Sequence, residues 1–194
     1  MNTLVVVTHP IQSSLCQHLA KEVIEHLESK GHSVIVKDLY KEQFDPVLSE
    51  KERQSYYADH FDASKTQSDI EQLENTEHLV LVFPTWWFNF PAILKGWFDR
   101  VWVPGRAYNH SEDMKAITPN LGNLKKVTAI TTLGSPWWVD RFVLRRPVYK
   151  ILKFALLGAC AKNCSFQMFS LYQSEVAKQN QVTKFLNKVK NNIL

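Results

Sequence analysis

Residues 78–102 read HLVLVFPTWWFNFPAILKGWFDRVW. The run HLVLVF is apolar almost without interruption, the pattern of a strand buried on both faces. PAILKGWFDRVW spaces its apolar residues as a helix does, and Pro91 suits a first helical position. The loop between them is the unusual part. Aromatic side chains are usually placed inside, yet Trp86, Trp87, Phe88 and Phe90 sit between Pro84 and Pro91. Either another segment covers them, or they await a flat partner.

The same strand–loop–helix unit recurs on both sides of this stretch. LVVV (4–7) is a buried strand, followed by a polar loop and a helix with Leu15, Leu19, Val23, Ile24 and Leu27 on one face. Ser13 or Ser14 can cap that helix and Gly31 can end it. HSVIVKDL is a second strand, residues 40–66 a long polar excursion with a short helix, and a helix over about 67–76 leads into the third strand. Beyond a loop at 103–123, KKVTAITTL is the fourth strand, 142–157 a helix and NCSFQMFSL the fifth strand. A last helix turns Val182, Phe185, Leu186 and Val189 inward. Alternating strands and helices predict right-handed βαβ units. The expected fold is α/β and flavodoxin-like: a five-stranded parallel sheet of order 2-1-3-4-5, helices on both faces, residues 1–194 as one domain.

Composition narrows the partners. The net charge is +4, but Lys and Arg are scattered, and only RFVLRRPVYKILK (141–153) concentrates them. This argues against nucleic acid and suits a small anion. The longest apolar stretch, ILKFALLGACA, is too short to cross a bilayer and is broken by Lys153, so no membrane insertion is expected. The chain opens directly on a strand without a signal-like segment, and three cysteines without CxxC spacing fit reduced thiols; both predict a cytoplasmic protein. Cys160 and Cys164 read as core thiols, and no metal site is expected.

In the order 2-1-3-4-5 a ligand lies where the loops after strands one and three diverge. The first loop has neither GxGxxG nor GxxxxGK[ST]. It offers His9, Ser13 and Ser14 at a helix N-terminus, where free N–H groups and the helix dipole suit a phosphate. Capping alone would also account for the serines. The third loop brings Trp86 and Phe88 as walls for a planar ring, or as packing for a neighbouring loop. TTLGS (131–135) ends the fourth strand at the same edge, as a small-residue floor or as an ordinary turn. Together the three loops describe a site for a flavin.

FPTWWFNFPAILKGWFDRVWVPGRAY resembles the signature stretch of the NAD(P)H:quinone oxidoreductase family. That family takes in the DT-diaphorase type, the modulator of drug activity B, and flavin-bound ancillary subunits of potassium efflux systems. The likeness extends to VVVTHP, KDLYKEQFDPVLS and ITTLG, and covers the chain to about residue 135. It implies a flavin whose phosphates meet His9, Ser13, Ser14, Leu15 and Cys16. The ring would meet Pro84, Thr85, Trp86, Trp87 and Phe88 on one side and Thr131, Thr132, Leu133 and Gly134 on the other. It further implies FAD, with FMN the alternative, NAD(P)H as reductant, and a quinone or related acceptor reduced by hydride transfer in a ping-pong cycle. A homodimer is implied, with Tyr108 beside the substrate. The alternative role is that of a flavin-binding regulatory subunit of a membrane ion-efflux system, docked through 141–153.

The chain departs from the family pattern at three places. Cys16 stands for an asparagine, Ser135 for a second glycine, and the Tyr and His that some members carry after TTGG are missing from SPWWVDRFVLRRPVYK before Tyr149. No catalytic side chain is assigned, because the flavin carries the chemistry. Trp137 and Trp138 read equally as a lid or as packing. Arg106 could meet a 2′-phosphate or simply be a loop arginine. Helix 91–102 and VWVPGRAY carry more aromatic surface than one subunit is expected to cover.

Overall fold

The computed structural model describes residues 1–58, 60–111, 113 and 115–194. The elements run β1 (Asn2–Val7), α1 (Leu15–Ser29), β2 (Ser33–Asp38), α2 (Glu50–Ser55), α3 (Gln67–Glu74), β3 (His78–Pro84) and α4 (Ala92–Val101). There follow β4 (Tyr108–His110), β5 (Ile117–Pro119), β6 (Lys126–Leu133), α5 (Pro147–Lys150), α6 (Leu157–Cys160), β7 (Ser165–Tyr172) and α7 (Gln179–Lys190). The main sheet is β2-β1-β3-β6-β7, all pairs parallel. Counting its strands alone, that is 2-1-3-4-5, the flavodoxin-like order expected.

Strand alternation sorts the core into two layers. Leu4, Val6, Leu79, Leu81 and Phe83 face α3, α4 and the α5–α6 segment, while Val5, Val7, Val80 and Val82 face α1 and α7. Every residue of β3 is buried, as a central parallel strand requires. Ser14 caps α1, its Oγ accepting from the Gln17 N–H at 3.3 Å. Gly31 ends the helix in the left-handed region that glycine enters freely. Its N–H donates to the Glu28 carbonyl and the His32 N–H to that of Leu27, a Schellman closure.

The excursion after β2 is an ordered strap across α4. Ser49 and Glu52 form a reciprocal capping box for α2. Glu52 then accepts from Arg100 Nε at 2.8 Å and Nη2 at 2.7 Å, with both residues only 2% exposed. The strap crosses so close that a Cβ on Gly96 would lie 2.2 Å from the Pro46 carbonyl oxygen. Tyr40, Phe44, Tyr56 and Phe61 complete the cover.

Four expectations are corrected. Pro91 caps α4 from outside the helix at ψ 144° and is not its first residue. The aromatics of α4 and the following loop do not spill onto the surface: Trp97, Phe98 and Trp102 are 1–4% exposed, covered by the strap. The 103–123 loop contains the small antiparallel ribbon β4–β5. The helix read over 142–157 is broken. A π-turn occupies Val139–Val143, Arg145 and Arg146 turn the corner in left-handed conformation, and helix resumes at Pro147. From Ile151 to Leu156 that helix has π geometry. Val148 and Leu152 reach the core, whereas Phe142 and Phe154 stay more than half exposed.

Candidate functional site

All five parallel strands end at one edge of the sheet, and the loops there meet. The Thr85 N–H and Oγ1 both donate to the Thr132 carbonyl, at 2.9 and 3.0 Å, tying the loop after β3 to the end of β6. The His9 ring stands edge-on to Trp86 with centroids 6.2 Å apart, joining the loop after β1 to the same point. The result is a cleft of about 260 Å³ lined by His9, Leu15, Cys16, Pro84, Thr85, Trp86, Thr132 and Gly134, with Ser174 and Glu175 from beyond β7.

Trp86 is placed by a tight hairpin. Its N–H donates to the Asn89 carbonyl at 3.2 Å, and the Asn89 N–H returns to Trp86 at 2.9 Å. The two residues between, Trp87 and Phe88, both take positive φ, as a type I′ turn demands and as bulky side chains rarely do. This strain costs on the order of 1–3 kcal/mol per residue and is held by the surrounding bonds. Asn89 Oδ1 adds one more, accepting from the Phe90 N–H at 2.8 Å.

The remaining sequence-predicted residues lie outside the lining. Ser14 is engaged in capping and Ser13 faces solvent. Trp87 projects outward, 98% exposed, and Phe88 sits in the turn and does not form a wall. Thr131 and Leu133 point away because side chains alternate along β6; Thr131 Oγ1 is bonded to Ser170 Oγ at 3.1 Å, and Leu133 is 4% exposed. Tyr108 is not in this cleft. It lines a separate, largely apolar cavity of about 280 Å³ with Phe98, Trp102 and Cys160, across the Trp86–Asn89 hairpin, and its hydroxyl donates to Tyr56 at 3.4 Å. Burial, with the Tyr56 contact, pushes the Tyr108 phenol well above its ordinary range. Arg106 forms a bidentate pair with Glu74, both contacts 2.6 Å.

Ser174 and Glu175 were missed, although a signal existed: in a parallel sheet the loop after the fifth strand ends at the same edge as the other loops. Glu175 bears directly on the floor, because a Cβ on Gly134 would lie 3.0 Å from its Oε1. Burial, with the charge of Asp38, raises the Cys16 thiol to about 12, so it lines the cleft as a neutral group. Ser135 Oγ is buried beside the cleft floor without a hydrogen-bond partner among the described residues. The other two cysteines, Cys160 and Cys164, are raised by burial to about 12 and about 11. Among the described residues no three His, Cys, Asp or Glu side chains gather to hold a metal, and no helix is long and apolar enough to cross a membrane.

The flavodoxin-like fold family matches residues 1–185. A Haemophilus influenzae protein named as an uncharacterized NAD(P)H oxidoreductase is 30% identical over 178 residues, 87% of this chain and 83% of its own. This chain belongs to the flavodoxin-like NAD(P)H:quinone oxidoreductase family. Guinea pig (Cavia porcellus) NAD(P)H dehydrogenase [quinone] 1 is 35% identical over 148 residues, 68% of this chain and 53% of its own. The chain thus spans about half the length of several curated members of the family that it matches. Among solved structures of this fold, Smu.1420 from Streptococcus mutans UA159 superposes with a TM-score of 0.83 at 32% identity, covering 98% of this chain and 97% of that one.

Proposed function

We propose that this chain is a flavin-dependent NAD(P)H:quinone oxidoreductase, reducing quinones or related electrophiles by two electrons in a ping-pong cycle, within one flavin-binding domain over residues 1–194. The observation that carries the reading is the convergence of the loops after β1, β3 and β6 on one cleft at the switch point. When bound there, the flavin supplies hydride transfer between nicotinamide and acceptor. The residues present suit it. The N–H groups of Leu15 and Cys16 open the first turn of α1, where the helix dipole favours a phosphate. Cys16 brings no competing negative charge. Trp86, braced by His9, gives a flat apolar edge, and a ring at the Gly134 floor requires the Glu175 carboxylate, which now lies against Gly134, to swing aside.

FAD is the proposed form and FMN the alternative. The chain is further proposed to act as a homodimer in the cytoplasm. The Tyr108 cavity, apart from the cleft in one copy, would then face the cleft of the second and hold the acceptor. The ancillary-subunit role is the weaker reading, since the relatives named above are oxidoreductases.

Purified protein is expected to be yellow and to oxidise NADH or NADPH with a quinone, giving parallel lines in a two-substrate plot. Mass spectrometry of the released cofactor separates FAD from FMN, and light scattering reports the dimer. A colourless protein that takes up neither flavin overturns the reading.

A further inference from the structure

A further hollow, of about 420 Å³, opens on the outer edge of β7. Trp137, Arg141 and Arg146 form one wall, Phe185 and Lys188 of α7 the other, and the strand from Met168 to Tyr172 the floor. Three cations converge here. Among the described residues none of them has a carboxylate within ion-pair distance. The adjacent acid, Asp140, is 7% exposed and its carboxylate accepts from the Tyr172 hydroxyl at 2.8 Å. Like charges gathered without a counter-ion favour an anion between them.

The wall is built at a cost in backbone strain. Arg145 and Arg146 both take left-handed φ, and the corner is pinned by the Arg146 N–H donating to the Asp140 carbonyl at 2.7 Å. The π-turn beside it closes through the Leu144 N–H and the Val139 carbonyl at 3.0 Å; π-turns recur at functional sites. Arg146 is further fixed with its guanidinium 4.0 Å over the Tyr149 ring. Trp137 and Phe185 give flat apolar surfaces, and β7 is the last strand of the sheet, so its outer N–H and C=O groups are free to read the edge of a planar ring. The hollow covers only the second half of the strand, which suits a small molecule better than an extended peptide.

It also adjoins the cleft. Tyr172 of the hollow is two residues along the chain from Ser174 of the cleft, a reach of no more than about 7 Å. We propose that this hollow binds a phosphorylated adenosine, the tail of an NADPH whose nicotinamide enters the cleft, with Arg141, Arg146 and Lys188 around its 2′-phosphate. This rests on the pyridine-nucleotide reading above. Arg106, held by Glu74, is not available for that role.

The test has two arms. In calorimetry, 2′,5′-ADP binds the wild-type protein at least tenfold more tightly than AMP, and the double variant Arg141→Ala/Lys188→Ala abolishes the difference. In steady-state assays the variant raises KM for NADPH tenfold or more, KM for NADH less than threefold, and leaves kcat and the unfolding temperature in place. If 2′,5′-ADP does not bind, the inference is wrong even where quinone turnover proceeds, so its failure is distinct from that of the enzyme reading. If 2′,5′-ADP binds at the hollow while both KM values stay unchanged, the coenzyme-tail assignment is overturned in favour of a free nucleotide.

Discussion

Two helical segments at the cleft edge carry similar aromatic cargo and meet different fates. Trp97, Phe98 and Trp102, on and just after α4, are 1–4% exposed, whereas Trp137, Trp138, Phe142 and Phe154 around the broken helix are 50–70% exposed. Hydrophobicity does not separate them. The difference is a second piece of chain: the strap between β2 and α3 lies over α4, and among the described residues no such strap lies over the aromatics of 137–154. Burial of the first segment is bought with a buried ion pair and a glycine crossing. The second is free to present a surface and a strained corner.

The comparison is broken most severely by Arg100→Ala. Glu52 would be left buried and unpaired, at a cost of about 3–5 kcal/mol, and denaturant melts should show it. Gly96→Ala tests the crossing itself. The new Cβ would meet the Pro46 backbone, so the strap must lift, at a cost of about 2–3 kcal/mol by the scale of overpacked cores. Hydrogen exchange should show protection lost over 40–66 and kept over 137–157.

Burial also sets a titration. Burial, with the charges of Lys126, His32 and the N-terminus, lowers His78 to about 3. Its unfolded value is near 6.5, so the unfolded chain binds the proton first. Stability is therefore complete above about pH 6.5 and falls as pH drops toward 3, with about 2 kcal/mol gone by pH 5. His78→Asn should flatten that slope, measured as urea midpoints from pH 7 to 5. The smallest effect is expected at the uncovered segment. Phe142→Ser should change monomer stability by less than about 0.5 kcal/mol, and a larger loss would mean that something covers this face in solution.

Much of the fold was legible because its signals are local. LVVV and HLVLVF announce buried parallel strands whatever their neighbours, and Gly31 closes α1 where its chemistry predicts. The cleft was legible in part. His9, Leu15, Cys16, Pro84, Thr85, Trp86, Thr132 and Gly134 line it, but their neighbours Thr131 and Leu133 do not, because the two-residue period of the strand turns them the other way. Trp87 and Phe88 look from sequence like a continuation of the aromatic wall. Only the left-handed turn sends Trp87 into solvent.

The sequence by itself determined the strand–helix alternation, the parallel sheet order and the edge at which a ligand would sit. Hydrophobic periodicity and turn chemistry act over a few residues and need no long-range partner. Tertiary structure alone decided which aromatics are covered, why position 96 must be glycine, that Arg106 belongs to Glu74, and that Arg141, Arg146 and Lys188 share one hollow. Each of these depends on segments 32 to 55 residues apart meeting in space. Contacts of that range leave no period in a single chain: they follow from how the layers stack around the sheet.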